Sequence, residues 1–382
     1  MIEQQFIAPA AAIGLDEQRL QALYDYVEGE VRAGLPSAQV AVGRHGRVAG
    51  VRTFGTVPRG GVRGPATDDT LYCIFSSVKG VVATAMWALI EDGLLRLDER
   101  VASIIPEFAG LDKDEITVEQ VMLHIAGFPT APMHPRLWED RAGRLERMKG
   151  WRLNWEPGSR FEYHATSAHW VLVEVITRKA GLDFRDYIRQ RITQPMGVPE
   201  LFVGLPDGMH ARAADIEYLI PNDPTEEMSE AQNPDSIVHF NLPSQRRSGC
   251  PGAGGFAGAA DIALFYQRLV SPQDSGAYAV LRPETIAMAT KVRTQEHHRD
   301  ASGLPVNRAL SMVVAGDHPV ERGFGAFASP RAFGHGGAGG QIAWGDPETG
   351  LSVGFVTNGF VDADHTSERS TTISTLAAKC LV

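Results

Sequence analysis

Ser76 and Lys79 stand three residues apart in Leu71-Tyr-Cys-Ile-Phe-Ser76-Ser-Val-Lys79, where a short β-prone run passes into an apolar helical one. Residues at this spacing share a helix face, so the lysine amine can reach the serine hydroxyl. A helix amino terminus adds partial positive charge and free N–H groups, both suited to a developing oxyanion. Desolvation there disfavours the ammonium form, so the amine can take the serine proton near neutral pH. The pair therefore predicts an acylating serine. A capping serine beside a solvated lysine gives the same spacing on many helices, and further residues must decide.

Four other segments bear on the choice. Pro157-Gly-Ser-Arg-Phe-Glu-Tyr163-His164-Ala165 ends a loop just before an apolar helix, and Phe333-Gly-His335-Gly336-Gly337-Ala338-Gly-Gly340 leads into a strand. Val118-Glu-Gln-Val-Met-Leu-His124-Ile-Ala-Gly127-Phe-Pro129 and Gly252-Ala-Gly-Gly-Phe-Ala257 lie between them in the chain or around them. With Ser76-x-x-Lys79, this order resembles the serine β-lactamase and penicillin-binding-protein superfamily, and within it the class C β-lactamase-like family VIII carboxylesterases most of all. The resemblance covers nearly the whole chain.

The resemblance implies Ser76 as nucleophile, Lys79 as its partner base and Tyr163 as the phenol that relays protons to the leaving group. It implies an oxyanion hole from the backbone N–H groups of Ser76 and Ala338. His335, Gly336 and Gly337 occupy the place of the family's K-T-G element and are expected to bind substrate, with His164 lining the pocket. His169 is a further candidate, and for either histidine a satisfied loop residue is the plainer reading. Two departures stand out. Ala165 replaces the asparagine of Y-x-N, and His335 replaces a lysine, so a fixed cation for a substrate carboxylate is lost at that position. Both point towards esters and away from penicillins.

These residues must be positioned by elements legible as periodicities. Leu20, Leu23, Tyr24, Val27 and Val31 after Asp16 predict a helix ended by Gly34. Ala38–Gly43, the turn His45-Gly46 and Arg47–Val51 predict a β-hairpin. Val81 to Ile90 continue the helix of Lys79, and a Gly-rich loop is expected over 59–64. Helices are predicted over 167–179, 184–192, 259–269 and 370–381, strands over 310–315, 323–328, 341–344 and 351–357, and a long polar surface loop over 222–248. The pattern predicts an α+β fold with an antiparallel sheet flanked by helices and built from both termini around a mainly helical insertion, and the resemblance implies that this fold is β-lactamase-like. The expected division is 1–95 with 285–382 as a discontinuous sheet domain and 96–284 as the helical domain, the active site lying in the cleft between them.

Composition excludes several classes. The 382 residues carry a net charge of −10 with scattered basic residues, which argues against nucleic acid or an anionic membrane as partner. Cys73, Cys250 and Cys380 form no disulfide framework, and the first residues lack a basic, then apolar, leader pattern. A cytoplasmic protein is expected, with no cofactor, no metal and a small-molecule ester or amide as partner. Oligomeric state is not readable. Gly350-Leu-Ser352-Val-Gly354 formally matches a nucleophile elbow, but β-type residues follow it where a helix is required. Gly334-x-Gly336-x-x-Gly339 and Gly252-x-Gly254-x-x-Ala257 mimic nucleotide fingerprints without the strand-to-helix context. His297-His298 read as solvated. Trp138, Trp151, Trp155, Trp170 and Phe128 are candidates for an acyl pocket, with core packing as the default. A β-lactamase or D-amino acid peptidase, a transacylase and a non-catalytic binding module are the alternatives to an esterase. The last is disfavoured because Ser76, Lys79 and Tyr163 are all present.

Overall fold

A computed structural model of the chain describes residues 2–220 and 234–381. Its centre is an antiparallel sheet of seven strands. Their spatial order is β3 (Val62–Pro65), β2 (Arg47–Arg59), β1 (Ser37–Arg44), β11 (Leu351–Thr357), β10 (Ile342–Asp346), β9 (Phe333–Gly334) and β8 (Val313–Val314). The middle pair joins the two ends of the sequence, with Ala38 opposite Thr357 and Gly43 opposite Ser352. A three-stranded sheet orders β4 (Tyr72–Cys73), β7 (Gly255–Ala257) and β5 (Phe202–Val203), and β6 (Glu217–Tyr218) pairs in parallel with β12 (Gly359–Phe360). The fold is thus α+β, as the periodicities predict.

Alternation along β1 serves two cores. Ala38, Val40 and Val42 pack with Leu20, Leu23, Tyr24 and Val27 of α1 (Glu17–Arg32), while Ala41 belongs to the core that holds α2 (Val78–Glu91). The first core also takes Ile373 and Ala377 from the last helix, and the second takes α3 (Ser167–Ala180) and α4 (Ala259–Val270). The Asp16 carboxylate caps α1 by accepting from the Arg19 N–H at 2.8 Å. The sequence division groups α4 with the helical segment, yet α4 lies against β1, β10 and β11. Its first N–H, from Ala259, donates to the Gln39 amide oxygen of β1 at 3.1 Å.

Several expectations are corrected. The Gly-rich stretch 59–64 is not a loop but the end of β2, a tight turn at Gly60 and Gly61 (φ 57° and 85°) and the start of β3. The strand expected over 310–315 shrinks to β8, and 323–328 is turn. The alternation in Gly323-Phe-Gly-Ala-Phe-Ala328 imitates a strand, but Gly323 and Gly325 sit at φ 81° and 78°. The last helix, α5 (Ala363–Lys379), starts earlier than predicted because Asp362 caps it, accepting from the His365 N–H at 2.9 Å. Of the predicted polar loop, 222–233 lies outside the described residues. The remainder coils into Pro234–Val238 and Pro243–Ser248, with Ile237, Phe240 and Arg246 buried.

Gly354 shows how closely sheet and helix meet, since a Cβ there would lie 2.2 Å from the Ala259 carbonyl oxygen. Gly354→Ala is expected to push α4 from the sheet and cost about 1–3 kcal/mol. An unchanged urea unfolding midpoint would show that the contact yields.

Candidate active site

The nucleophile candidate is placed by the small sheet. Tyr72 and Cys73 pair with Ala257 and Phe256, and the Ile74 N–H donates to the Gly255 carbonyl at 2.9 Å. The chain then turns sharply: Phe75 adopts φ 44°, a conformation costly for a bulky side chain. Its ring is held edge-on between Phe240 and Phe360, at centroid distances of 5.8 and 6.1 Å. Ser76 follows in the 3₁₀ turn Phe75–Ser77 that opens α2. Its N–H stands at the amino end of that turn, where no earlier intrahelical carbonyl can accept from it.

Lys79 and Tyr163 converge on this serine. The Ser76 hydroxyl oxygen lies 3.0 Å from the Lys79 amine and 3.0 Å from the Tyr163 phenol. Lys79 is fully buried, and its amine also donates to the Gly252 carbonyl at 2.6 Å. Burial lowers its pKa from the free-lysine value, against an opposing pull from Tyr163. Among the described residues no carboxylate pairs with it. With Lys79 neutral, its lone pair can accept the Ser76 proton while the Tyr163 hydroxyl donates to the same oxygen.

Tyr163 is held by two histidines. His124, at φ 59°, accepts the His164 N–H on Nδ1 at 3.1 Å. His164 in turn accepts the Phe128 N–H on Nε2 at 3.0 Å and donates from Nδ1 to the Glu162 carbonyl at 2.6 Å. Burial lowers the His164 pKa to about 4. Both ring nitrogens are thus engaged by backbone, and the expectation that His164 binds substrate is corrected: it braces the Tyr163 segment. His124 was missed as a bracing residue, although it lies in one of the segments that carried the resemblance.

The third wall is the segment after β9. The His335 ring lies over that of Tyr163, with centroids 5.8 Å apart and planes at 29°. Nδ1 donates to the Gly336 carbonyl at 2.8 Å, and Nε2 is buried without a partner. Burial first, then Arg308 and Lys79, hold its pKa well below the usual histidine value, so this position carries no charge at neutral pH. Gly337 presses on the nucleophile turn, since a Cβ there would lie 2.3 Å from the Ile74 carbonyl oxygen. Its N–H donates to the Gln341 carbonyl at 2.9 Å, and the Arg369 guanidinium donates to the Gly339 carbonyl at 2.8 Å. Ala338 lies between these two anchored glycines.

One charged residue escaped the sequence reading. Arg308 lies with its guanidinium 5.4 Å from the Tyr163 ring centroid and 5.7 Å from that of Phe161. No local pattern marks it. Beside the same segment, a cavity of about 510 Å³ is lined by Arg322, Phe324, His335, Gly337, Phe360 and Thr366. The aromatic candidates for an acyl pocket do not line it. Trp138, Trp151, Trp170 and Phe128 are core residues, and Trp155 packs edge-on against His164. The other decoys resolve as well. Ser352 is buried in β11 and donates to the Ala263 carbonyl at 2.7 Å, and His298, expected in solvent, is buried with Nε2 3.0 Å from the Gly158 carbonyl. No group of His, Cys, Asp and Glu fit to hold a metal occurs among the described residues.

The Gly337 contact fixes the distance between the two walls, so Gly337→Ala is expected to lower kcat/KM on p-nitrophenyl acetate at least about tenfold. Wild-type turnover by that variant would show that the approach is not needed.

Comparison with known proteins follows the geometry. Among curated relatives, a Salmonella agona protein provisionally named a D-alanyl-D-alanine carboxypeptidase is 24% identical over 378 residues, covering 91% of this chain and 84% of that one. A penicillin-binding-protein homologue from Caulobacter crescentus superposes with TM-score 0.80 at 27% identity, covering 96% of this chain and 99% of the other. A family VIII carboxylesterase superposes with TM-score 0.80 at 22% identity over 96% and 99% of the chains, which shows a common fold. The profile of the Beta-lactamase family matches residues 16–377, and the chain belongs to that family of serine hydrolases.

Proposed function

We propose that the protein hydrolyses carboxylic esters through an acyl-serine intermediate. The observation that carries this is the Ser76 hydroxyl held 3.0 Å from both a buried lysine amine and a tyrosine phenol. Ser76 attacks the carbonyl while Lys79 and Tyr163 share its proton. The N–H groups of Ser76 and Ala338 stabilise the oxyanion, and Tyr163 protonates the departing alkoxide. Water then cleaves the acyl-serine by the reverse proton path. Lys79 and Tyr163 are assigned this work jointly, in a cleft between the sheet and the helical segment that carries Tyr163.

Ester preference is supported by the neutral His335 and by Ala165, an exposed methyl where an amide would contact a β-lactam side chain. The family profile and the names of the carboxypeptidase-like relatives favour a second reading, a β-lactamase or D-amino acid peptidase on the same machinery. A transacylase needs only an acceptor better than water. The three cysteines are free and buried, which supports a reducing compartment such as the cytoplasm. No helix among the described residues is long and apolar enough to cross a membrane.

Ser76→Ala is expected to abolish turnover of p-nitrophenyl acetate and labelling by a fluorophosphonate probe, and retained turnover would sink the mechanism. A kcat/KM on nitrocefin above that on the ester would reverse the order of the two readings. Because Lys79 acts as the free amine, kcat/KM should rise with pH as it loses its proton. Burial places that ascending limb below the 10.5 of free lysine. A profile flat from pH 5 to 10 would remove Lys79 from the proton path.

A further inference from the structure

The segment assigned to the oxyanion hole is almost all glycine. Between His335 and Gln341 only Ala338 carries a side chain, and Gly339 and Gly340 sit at φ 73° and 85°. Such a backbone has little of its own to fix its peptide planes. Three of the four carbonyls from Gly336 to Gly339 are nonetheless held from inside the segment. His335 Nδ1 donates to that of Gly336 at 2.8 Å, the Gly340 and Gln341 N–H groups to that of Gly337 at 3.1 Å each, and the Gln341 amide to that of Ala338 at 3.4 Å. The fourth, on Gly339, is reached from another element: Arg369 Nη2, on α5, donates to it at 2.8 Å.

Arg369 is built into that place. It is 1% exposed, with its guanidinium 5.8 Å from the ring centroid of Phe355 in β11. A Cβ on Gly340 would meet Nη2 at 2.7 Å, so arginine and glycine turn are in direct contact. Among the described residues no carboxylate pairs with it, and its Nε and Nη1 are sealed from solvent without an acceptor. Glu30, whose charge reaches it, is engaged instead by His365 at 2.8 Å. Burying a guanidinium on so few bonds is costly, and the bond it makes fixes the carbonyl next after Ala338. We propose that Arg369 is a positioning residue for the oxyanion hole: it ties the glycine turn to α5 so that the Ala338 N–H stays aimed at the substrate carbonyl oxygen. This rests on the acyl-serine reading and deepens it. Arg369 acts through Gly339 and touches no reacting atom, while Ile373 and Ala377 root its helix in the core.

The test compares p-nitrophenyl acetate with its thionoacetate, in which sulfur, a larger and weaker hydrogen-bond acceptor, replaces the carbonyl oxygen. Relative to hydrolysis of the same pair by hydroxide, the wild-type enzyme should favour the oxygen ester in kcat/KM. Arg369→Met should lower kcat on the oxygen ester at least about tenfold with KM little changed, and shrink the oxygen preference by a similar factor. Arg369→Lys, which keeps the charge without the planar fork, should fall between. The full oxygen preference in Arg369→Met, or a loss shared equally by both esters, overturns the proposal. Should the methionine variant not fold, Arg369→Lys is judged by the same ratio, and a wild-type value there overturns it. A wild-type enzyme no more selective than hydroxide refutes it without any variant. Turnover of both esters by Ser76→Ala would instead refute the acyl-serine reading itself.

Discussion

A lysine amine taken wholly out of water, with no carboxylate among the described residues to hold its charge, is the constraint to which the surrounding structure answers. Lys79 keeps two hydrogen-bond contacts, the nearby Ser76 hydroxyl and the distant Gly252 carbonyl, with the Tyr163 ring centroid 5.0 Å from its amine. The carbonyl is brought in by the strand pairing that also sets the turn before Ser76. Enclosing the amine requires α2 to be apolar on every side, and nearly all of it is buried. It also requires Gly80, where a Cβ would lie 2.7 Å from the Tyr266 hydroxyl, so that α4 can close over the helix. A more open site would return the lysine towards its ordinary pKa.

The electrostatics around the pair follow one rule: imidazoles neutral, cations unpaired, carboxylates absent among the described residues. His124, His169 and His335 are all held well below the usual histidine pKa by burial first, with Arg308 adding to each. Neutral rings can brace Tyr163 without competing for the Ser76 proton.

Much of this was legible in the sequence because it is local. Ser76 and Lys79 share a helical turn, β11 is a clean strand pattern, and the segments carrying Tyr163 and His335 have recognisable neighbours. What was not legible depends on partners far along the chain. His164 looks like a pocket residue until the Phe128 N–H, 36 residues away, occupies its ring. Arg308 has no distinguishing neighbours in sequence and stands out by the side-chain partner it lacks among the described residues. Nothing in the residue types announces a phenylalanine at positive φ, and the glycine alternation over 323–328 conceals turns packed on α5. Gly325 there would place a Cβ 2.5 Å from the Thr375 nitrogen.

The pairing of β1 with β11 also sets a timetable. The hairpin of β1 and β2 leaves the ribosome well before β11, since the strand that completes its inner edge begins about 300 residues later. At ordinary elongation rates that is roughly 15–60 s, during which an edge bearing Val40 and Val42 has no partner. Closing so long a loop also makes the sheet centre a late event. A nascent chain of this design therefore depends on something other than its own strands, such as α1 folded back over the hairpin or a chaperone, to cover that edge until β11 has been made.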